Sequence, residues 1–133
     1  MATEGAMPRN RMVADGNYSI CTQDWFCGAF ARALRTLLFQ MQSTVWRSES
    51  NDCDDFTRIG ATFAQMLHNR GGKHPDTSLA VGEFWYVSTE GPHAILAAIV
   101  KKDGYKLFFL DPQDQRPKLL TYDEIASCSA YRF

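Results

Sequence analysis

Residues 91–111 read Gly91-Pro92-His93-Ala94-Ile95-Leu96-Ala97-Ala98-Ile99-Val100-Lys101-Lys102-Asp103-Gly104-Tyr105-Lys106-Leu107-Phe108-Phe109-Leu110-Asp111, and they decide the fold. Gly91-Pro92 is a breaker pair. The continuous apolar run from Ala94 to Val100 has the length of one strand buried on both faces, with His93 at its mouth. Asp103-Gly104 supplies turn chemistry, and the segment from Tyr105 to Leu110 is the returning strand of a hairpin that ends at Asp111-Pro112-Gln113. The residue that opens one antiparallel strand lies near the residue that closes its partner, so His93 and Asp111 are expected neighbours.

Working outward, Asn51-Asp52-Cys53-Asp54-Asp55-Phe56 carries the signal of a helix start. Asn51 or Asp52 can serve as N-cap, and Asp54 and Asp55 face the positive end of the helix dipole. Phe56, Ile59, Phe63, Met66 and Leu67 recur at helical spacing, so Cys53 sits in the first turn. A thiol at a helix N-terminus, an imidazole and a carboxylate that fixes its tautomer are the parts of a nucleophilic triad. The acidic run opposes this by raising the thiol pKa, unless a cation or a protonated His93 offsets the charge.

The Asn-Asp-Cys-Asp-Asp-Phe string, the His93-Ala94 segment and the Asp111-Pro112-Gln113 triplet resemble the papain-like domain of the Marasmius oreades agglutinin type, with its bacterial and phage relatives, over roughly Trp46 to Phe133. The resemblance implies a calcium-dependent cysteine protease. Cys53 would be the nucleophile, His93 the general base and acid, and Asp111 the orienting carboxylate. Trp46 would line the site and Gln113 would assist the oxyanion beside the Cys53 backbone N–H. Asp54 and Asp55 would be calcium ligands. Three departures stand out: Leu96 lies near a position where the family suggests a polar Asn, Asp111 replaces the commoner Glu, and no lectin repeats precede the domain, so no glycan targeting is implied.

Each residue also has a plainer reading. Cys53 can be structural, His93 a strand-end histidine, Asp111 a turn former before Pro112, Trp46 a loop anchor, and Gln113 a solvated side chain. Asp54 and Asp55 suit a helix start without any metal. The expected function is a thiol-dependent hydrolase of a peptide or other amide bond, with a peptide or protein as substrate. A cell-wall peptidase of NlpC type is the alternative enzyme. A phage-encoded papain-like scaffold without turnover, binding a host or virion protein through Trp85, Tyr86 and the N-terminal arm, is the alternative binder.

A chain of 133 residues with 45% hydrophobic and 22% charged residues is expected to form one α+β domain: two N-terminal helices packed on an antiparallel sheet of about four strands, in a compact papain-like arrangement. Residues 1–18 are expected to form an arm. Thr22 caps a first helix from Trp25 to about Gln42, and Leu79 to Val87 reads as a strand with a bulge at Gly82. Thr121 caps a last helical turn. Net charge is −1, which makes no electrostatic case for nucleic acid or an anionic membrane. No apolar stretch has the length of a bilayer span, and the N-terminus lacks signal-peptide character, so a cytoplasmic location is expected, the host's if phage-encoded. Cys21, Cys27, Cys53 and Cys128 show neither zinc spacing nor a Cys-x-x-Cys pair.

Overall fold

The computed structural model describes residues 11–12, 17–42, 44–47, 52–72, 76–114 and 116–132. Most of the expected arm over 1–18, the cap candidate Asn51 and the turn residues 73–75 lie outside them.

Six strands run side by side in the order β1 (Arg11–Met12), β9 (Ala130–Arg132), β5 (Val81–Ser88), β6 (Gly91–Lys101), β7 (Tyr105–Asp111) and β8 (Arg116–Lys118). Every pairing from β9 to β8 is antiparallel, whereas β1 runs parallel to β9. Off this path, β3 (Cys21–Thr22) pairs in parallel with Val100 and Lys101 of β6. The short strands β2 (Tyr18–Ser19) and β4 (Ser78–Leu79) form a separate parallel pair. The expectation of about four strands is therefore too low. The surplus consists of two- and three-residue pieces, too short for alternation to betray them.

The two expected N-terminal helices are α1 (Ala31–Gln40) and α2 (Cys53–Gly71), and the helical turn expected after Thr121 is a third, α3 (Tyr122–Ala126). The first helical stretch opens on the Trp25 amide donating to Thr22 Oγ1 at 3.1 Å, the expected cap. From Trp25 to Phe30 it is wound as a π-helix before α1 begins. The rings of Trp25, Phe26, Phe30 and Phe63 stack across this turn, with centroids 5.2 to 6.2 Å apart. Helix α2 begins at Asp52, whose side chain and that of Asp55 form a reciprocal capping box, and it ends on Gly72 at φ 65°. Asp103 and Gly104 both take positive φ in the β6–β7 turn. The bulge expected at Gly82 is absent, since Gly82 pairs regularly with Ala97; the chain bends instead at Ala80, between β4 and β5. Among the described residues no helix is long and apolar enough to cross a membrane.

The sheet buries both faces, which is why β6 reads as an unbroken apolar run. Leu96, Ala98, Val100, Phe108 and Leu110 face α1 and α2. Ile95, Ala97, Leu107 and Phe109 face the other way, with Phe84, Tyr131 and Ile125 of α3. Leu96 is wholly buried, so the position where a polar contact was considered belongs to the core. Helix α2 packs tightly on β6 at Gly60: a Cβ there would stand 2.7 Å from Leu96 Cδ1 and 3.3 Å from Leu34 Cδ2.

A mid-helix Gly→Ala change ordinarily stabilises by about 1 kcal/mol, whereas overpacking a filled core costs about 1–3 kcal/mol. Leu96 and Leu34 are both fully buried, so the overpacking wins. Gly60→Ala is expected to lower stability by about 1–2 kcal/mol in urea melts, and Leu96→Val in the same chain to recover part of the loss through a non-additive coupling.

Candidate functional site

The sequence-predicted residues converge. Trp46, Cys53, His93, Asp111 and Gln113 all line one cleft of about 650 Å³. Its walls are the start of α2, the β5–β6 turn, the end of β7 and the segment from Lys118 to Glu124.

His93 lies inside β6 opposite Tyr86, not at the strand's mouth, and its ring meets the Tyr86 ring edge-on at 5.8 Å. The pairing of Leu96 with Leu110 puts Asp111 diagonally across from His93 on the same sheet face. His93 Nε2 lies 3.1 Å from Asp111 Oδ2, and the Gln113 backbone N–H donates to Oδ1 at 2.9 Å. The neighbour relation read from the hairpin therefore holds, and Asp111 is both turn former and imidazole anchor. Burial acts to raise its carboxyl pKa. The hydrogen bonds from His93 and Gln113, with the charges of His93 and Lys118, outweigh that, and the net shift is downward.

Cys53 opens α2, half-buried, as expected. Its thiol is nevertheless pushed up, first by burial, while the Ala94 N–H opposes and the charges of Asp52 and Asp54 add to the rise. A pKa above the ordinary thiol range leaves the sulfur protonated at neutral pH, contrary to what a primed nucleophile requires. Tyr86 is likewise raised, to about 12, by burial and then by Glu124, Asp111 and Cys53. All four cysteines are free thiols.

Asp54 and Asp55 form a cluster with Asp52, whose ligand oxygens lie within 4.8 Å of one another. Arg58 stands 3.6 Å from Asp54 and 3.7 Å from Asp55, and Asp55 Oδ2 accepts the Asp52 amide at 3.2 Å. Asp52 Oδ1 is buried without a hydrogen-bond partner. Three hard oxygen donors with one orphaned oxygen fit calcium in kind, and Arg58 supplies part of the charge that such an ion would bring.

The Gln113 side chain is exposed, and Trp46 keeps 55% of its surface open as a ring on the cleft's rim. The sequence reading missed Ser88 at the end of β5, Glu90 in the β5–β6 turn, Lys118 at the end of β8 and Leu119 just after it. Neither segment has a periodic pattern, and only the Ser-Thr-Glu-Gly turn composition before His93 marked the first as a loop at the site.

No protein-family model matches the sequence, and no curated protein does. Among solved structures, a complex of PSL1a with E64 matches with a TM-score of 0.73 at 22% identity, over 93% of this chain and 43% of that one. The Polyporus squamosus lectin bound to the human-type influenza-binding epitope Neu5Acα2-6Galβ1-4GlcNAc matches with a TM-score of 0.70 at 22% identity, over 93% and 42%. These neighbours are a fungal lectin of the same kind as the Marasmius oreades agglutinin, and the likeness is one of fold. The chain spans less than half the length of the proteins it matches.

The functional expectation is corrected on this finding. The solved structures the chain is built like are lectins, one of them bound to a glycan epitope, so the papain-like peptidase and its NlpC-type variant are withdrawn. The peptide or protein substrate goes with them, as does the turnover-free scaffold for a host or virion protein, because lectin neighbours bind glycan epitopes.

Two outcomes test the site's electrostatics. Iodoacetamide should label Cys53 at pH 7 more slowly than a free cysteine, with a rate that keeps climbing above the ordinary thiol pKa of about 8.5. Rapid labelling at pH 6, read by peptide mass spectrometry, would restore a primed thiolate. For Asp111 the folded pKa lies below the unfolded value of about 3.9, so its stabilisation is complete above that value and is lost as pH falls through the folded pKa. Asp111→Asn should therefore cost about 1–3 kcal/mol at pH 6, and the gap to wild type should close below about pH 4.

Proposed function

We propose that the cleft is a carbohydrate-binding site, carried by a chain that corresponds to one portion of the lectins it is built like. The scaffold in this reading is a compact papain-like one, in which a helix bearing Cys53 abuts strands bearing His93 and Asp111.

The make-up of the cleft wall carries the reading. A sugar ring offers an apolar face of C–H groups and a rim of hydroxyls that both donate and accept. Trp46 presents an exposed ring on which such a face can lie. Around it stand the Ser88 hydroxyl, the Glu90 carboxylate, the His93 imidazole, the Gln113 amide and the Lys118 ammonium, a mixture of donors and acceptors suited to a polyol. Asp111 holds the imidazole by its Nε2, so the ring meets a ligand in a fixed orientation. Cys53 is assigned to the wall as a protonated thiol, and Gln113 and Trp46 are assigned to ligand contact. The lectin seen with a sialylated trisaccharide supports the same class of ligand.

Titration with Neu5Acα2-6Galβ1-4GlcNAc and its neutral fragment Galβ1-4GlcNAc, followed by saturation-transfer NMR, tests this. Binding is expected with at least one of them, and Trp46→Ala or His93→Ala should weaken it at least tenfold while the fold survives. Absence of transfer from both sugars at millimolar concentration would end the carbohydrate reading.

A calcium ion held by Asp54 and Asp55, with Asp52, is the bound metal of this proposal. It would supply a fixed positive charge at the start of α2 and neutralise the acidic run beside Cys53. Millimolar calcium should then raise the melting temperature of the wild-type chain by a few degrees and leave Asp54→Asn/Asp55→Asn unmoved. No rise in the wild type would remove the metal.

A further inference from the structure

Sharing Gln113 with the cleft, a second, open hollow of about 500 Å³ lies between the π-helical turn, α1 and the β7–β8 turn, lined also by Cys27, Ala31, Arg32, Arg35, Asp114 and Arg116. We propose that it binds the oxyanion of a phosphate or sulfate monoester. Three guanidinium groups converge on this one hollow. Arg32 and Arg35 lie three residues apart on α1, which puts their side chains side by side, and Arg116 comes from the first position of β8.

Asp114 is the one carboxylate of the lining, and it is turned to its own hairpin. Its Oδ1 accepts the Arg116 backbone N–H at 3.0 Å and its Oδ2 lies 3.5 Å from Lys118 Nζ. None of the three arginines makes an ion pair with another described residue. Like charges gathered in a hollow repel, and a doubly charged oxyanion that accepts from several guanidinium N–H groups reverses that repulsion. A bare phosphate fills only part of about 500 Å³, which leaves room for the ester's organic body over Ala31 and Cys27. Arginine suits such an anion better than lysine would, because its planar fork matches two oxygens of one anion at once.

The inference does not depend on a sugar in the cleft. Sodium phosphate or sodium sulfate, compared with sodium chloride at equal ionic strength, provides the probes in thermal melts and isothermal titration of the whole chain. Either oxyanion is expected to raise the melting temperature by about 2 °C or more at 20 mM over chloride. Arg35→Gln/Arg116→Gln should weaken binding at least tenfold. Single Arg32→Gln, a second variant should the double one fold poorly, should weaken it at least threefold. Arg58→Gln, a cation elsewhere on the surface, and Trp46→Ala, in the cleft, should leave oxyanion binding unchanged. A shift no larger than chloride's, or one retained by the arginine variants, would overturn the proposal.

Discussion

The contact of α2 with β6 at Gly60 and Leu96 governs the rest of the molecule. With no Cβ on Gly60, the helix can lie close to the sheet, and the methyl groups of Leu96 and Leu34 take up the space a Cβ would need. A 19-residue helix fixed at that point has little freedom to slide or roll. Its first residue, Cys53, is thereby held over the first third of β6, close enough for the Ala94 N–H to act on its sulfur. The cleft exists because the start of the helix and the end of the β7 strand overhang the same edge of the sheet.

Electrostatics at that edge follow from the same placement. The helix start collects three carboxylates, which suit its dipole and its capping box, and Arg58 one turn on partly balances them. On the sheet side Asp111 is favoured as an anion because His93 and the Gln113 backbone N–H both donate to it. The two halves push in opposite directions: the carboxylate of Asp111 is stabilised as an anion, and the thiol of Cys53 is disfavoured as one. Residues in the order of a triad thus share a cleft whose resting charge distribution keeps the sulfur neutral. Order along the chain reports which groups meet, whereas burial and neighbouring charge determine their ionisation.

Much of this was legible in the sequence wherever a period or a turn residue carried the signal. The apolar run Ala94–Val100, the Asp103-Gly104 turn and the return through Leu110 specified the central hairpin, and its register brought His93 to Asp111. Thr22, Asp52 and Thr121 marked three helix starts by capping chemistry. The π-helical turn at Trp25–Phe30 was invisible because a π-helix and an α-helix bury nearly the same residues of so aromatic a segment. The break at Ala80 was misplaced onto Gly82 because a glycine is the usual bulge signal, while here Ala80 is where the chain leaves its pairing with Ser19 to enter β5. The share of the Cys53 pKa rise that comes from Asp52 and Asp54 was legible in the acidic run, whereas the larger share comes from burial, which only the packed sheet supplies.

The β7–β8 turn links the two hollows. Asp111 ends β7 and anchors His93 on one side, and Arg116, paired with Asp111 across the hairpin, faces the arginines of α1 on the other. Gln113 lines both spaces, its backbone N–H committed to Asp111. Asp114 holds the far half of the turn by accepting from the Arg116 amide. Two carboxylates thus fix a four-residue turn from inside, each through a backbone amide two residues on, as Asp side chains do where a chain must reverse tightly.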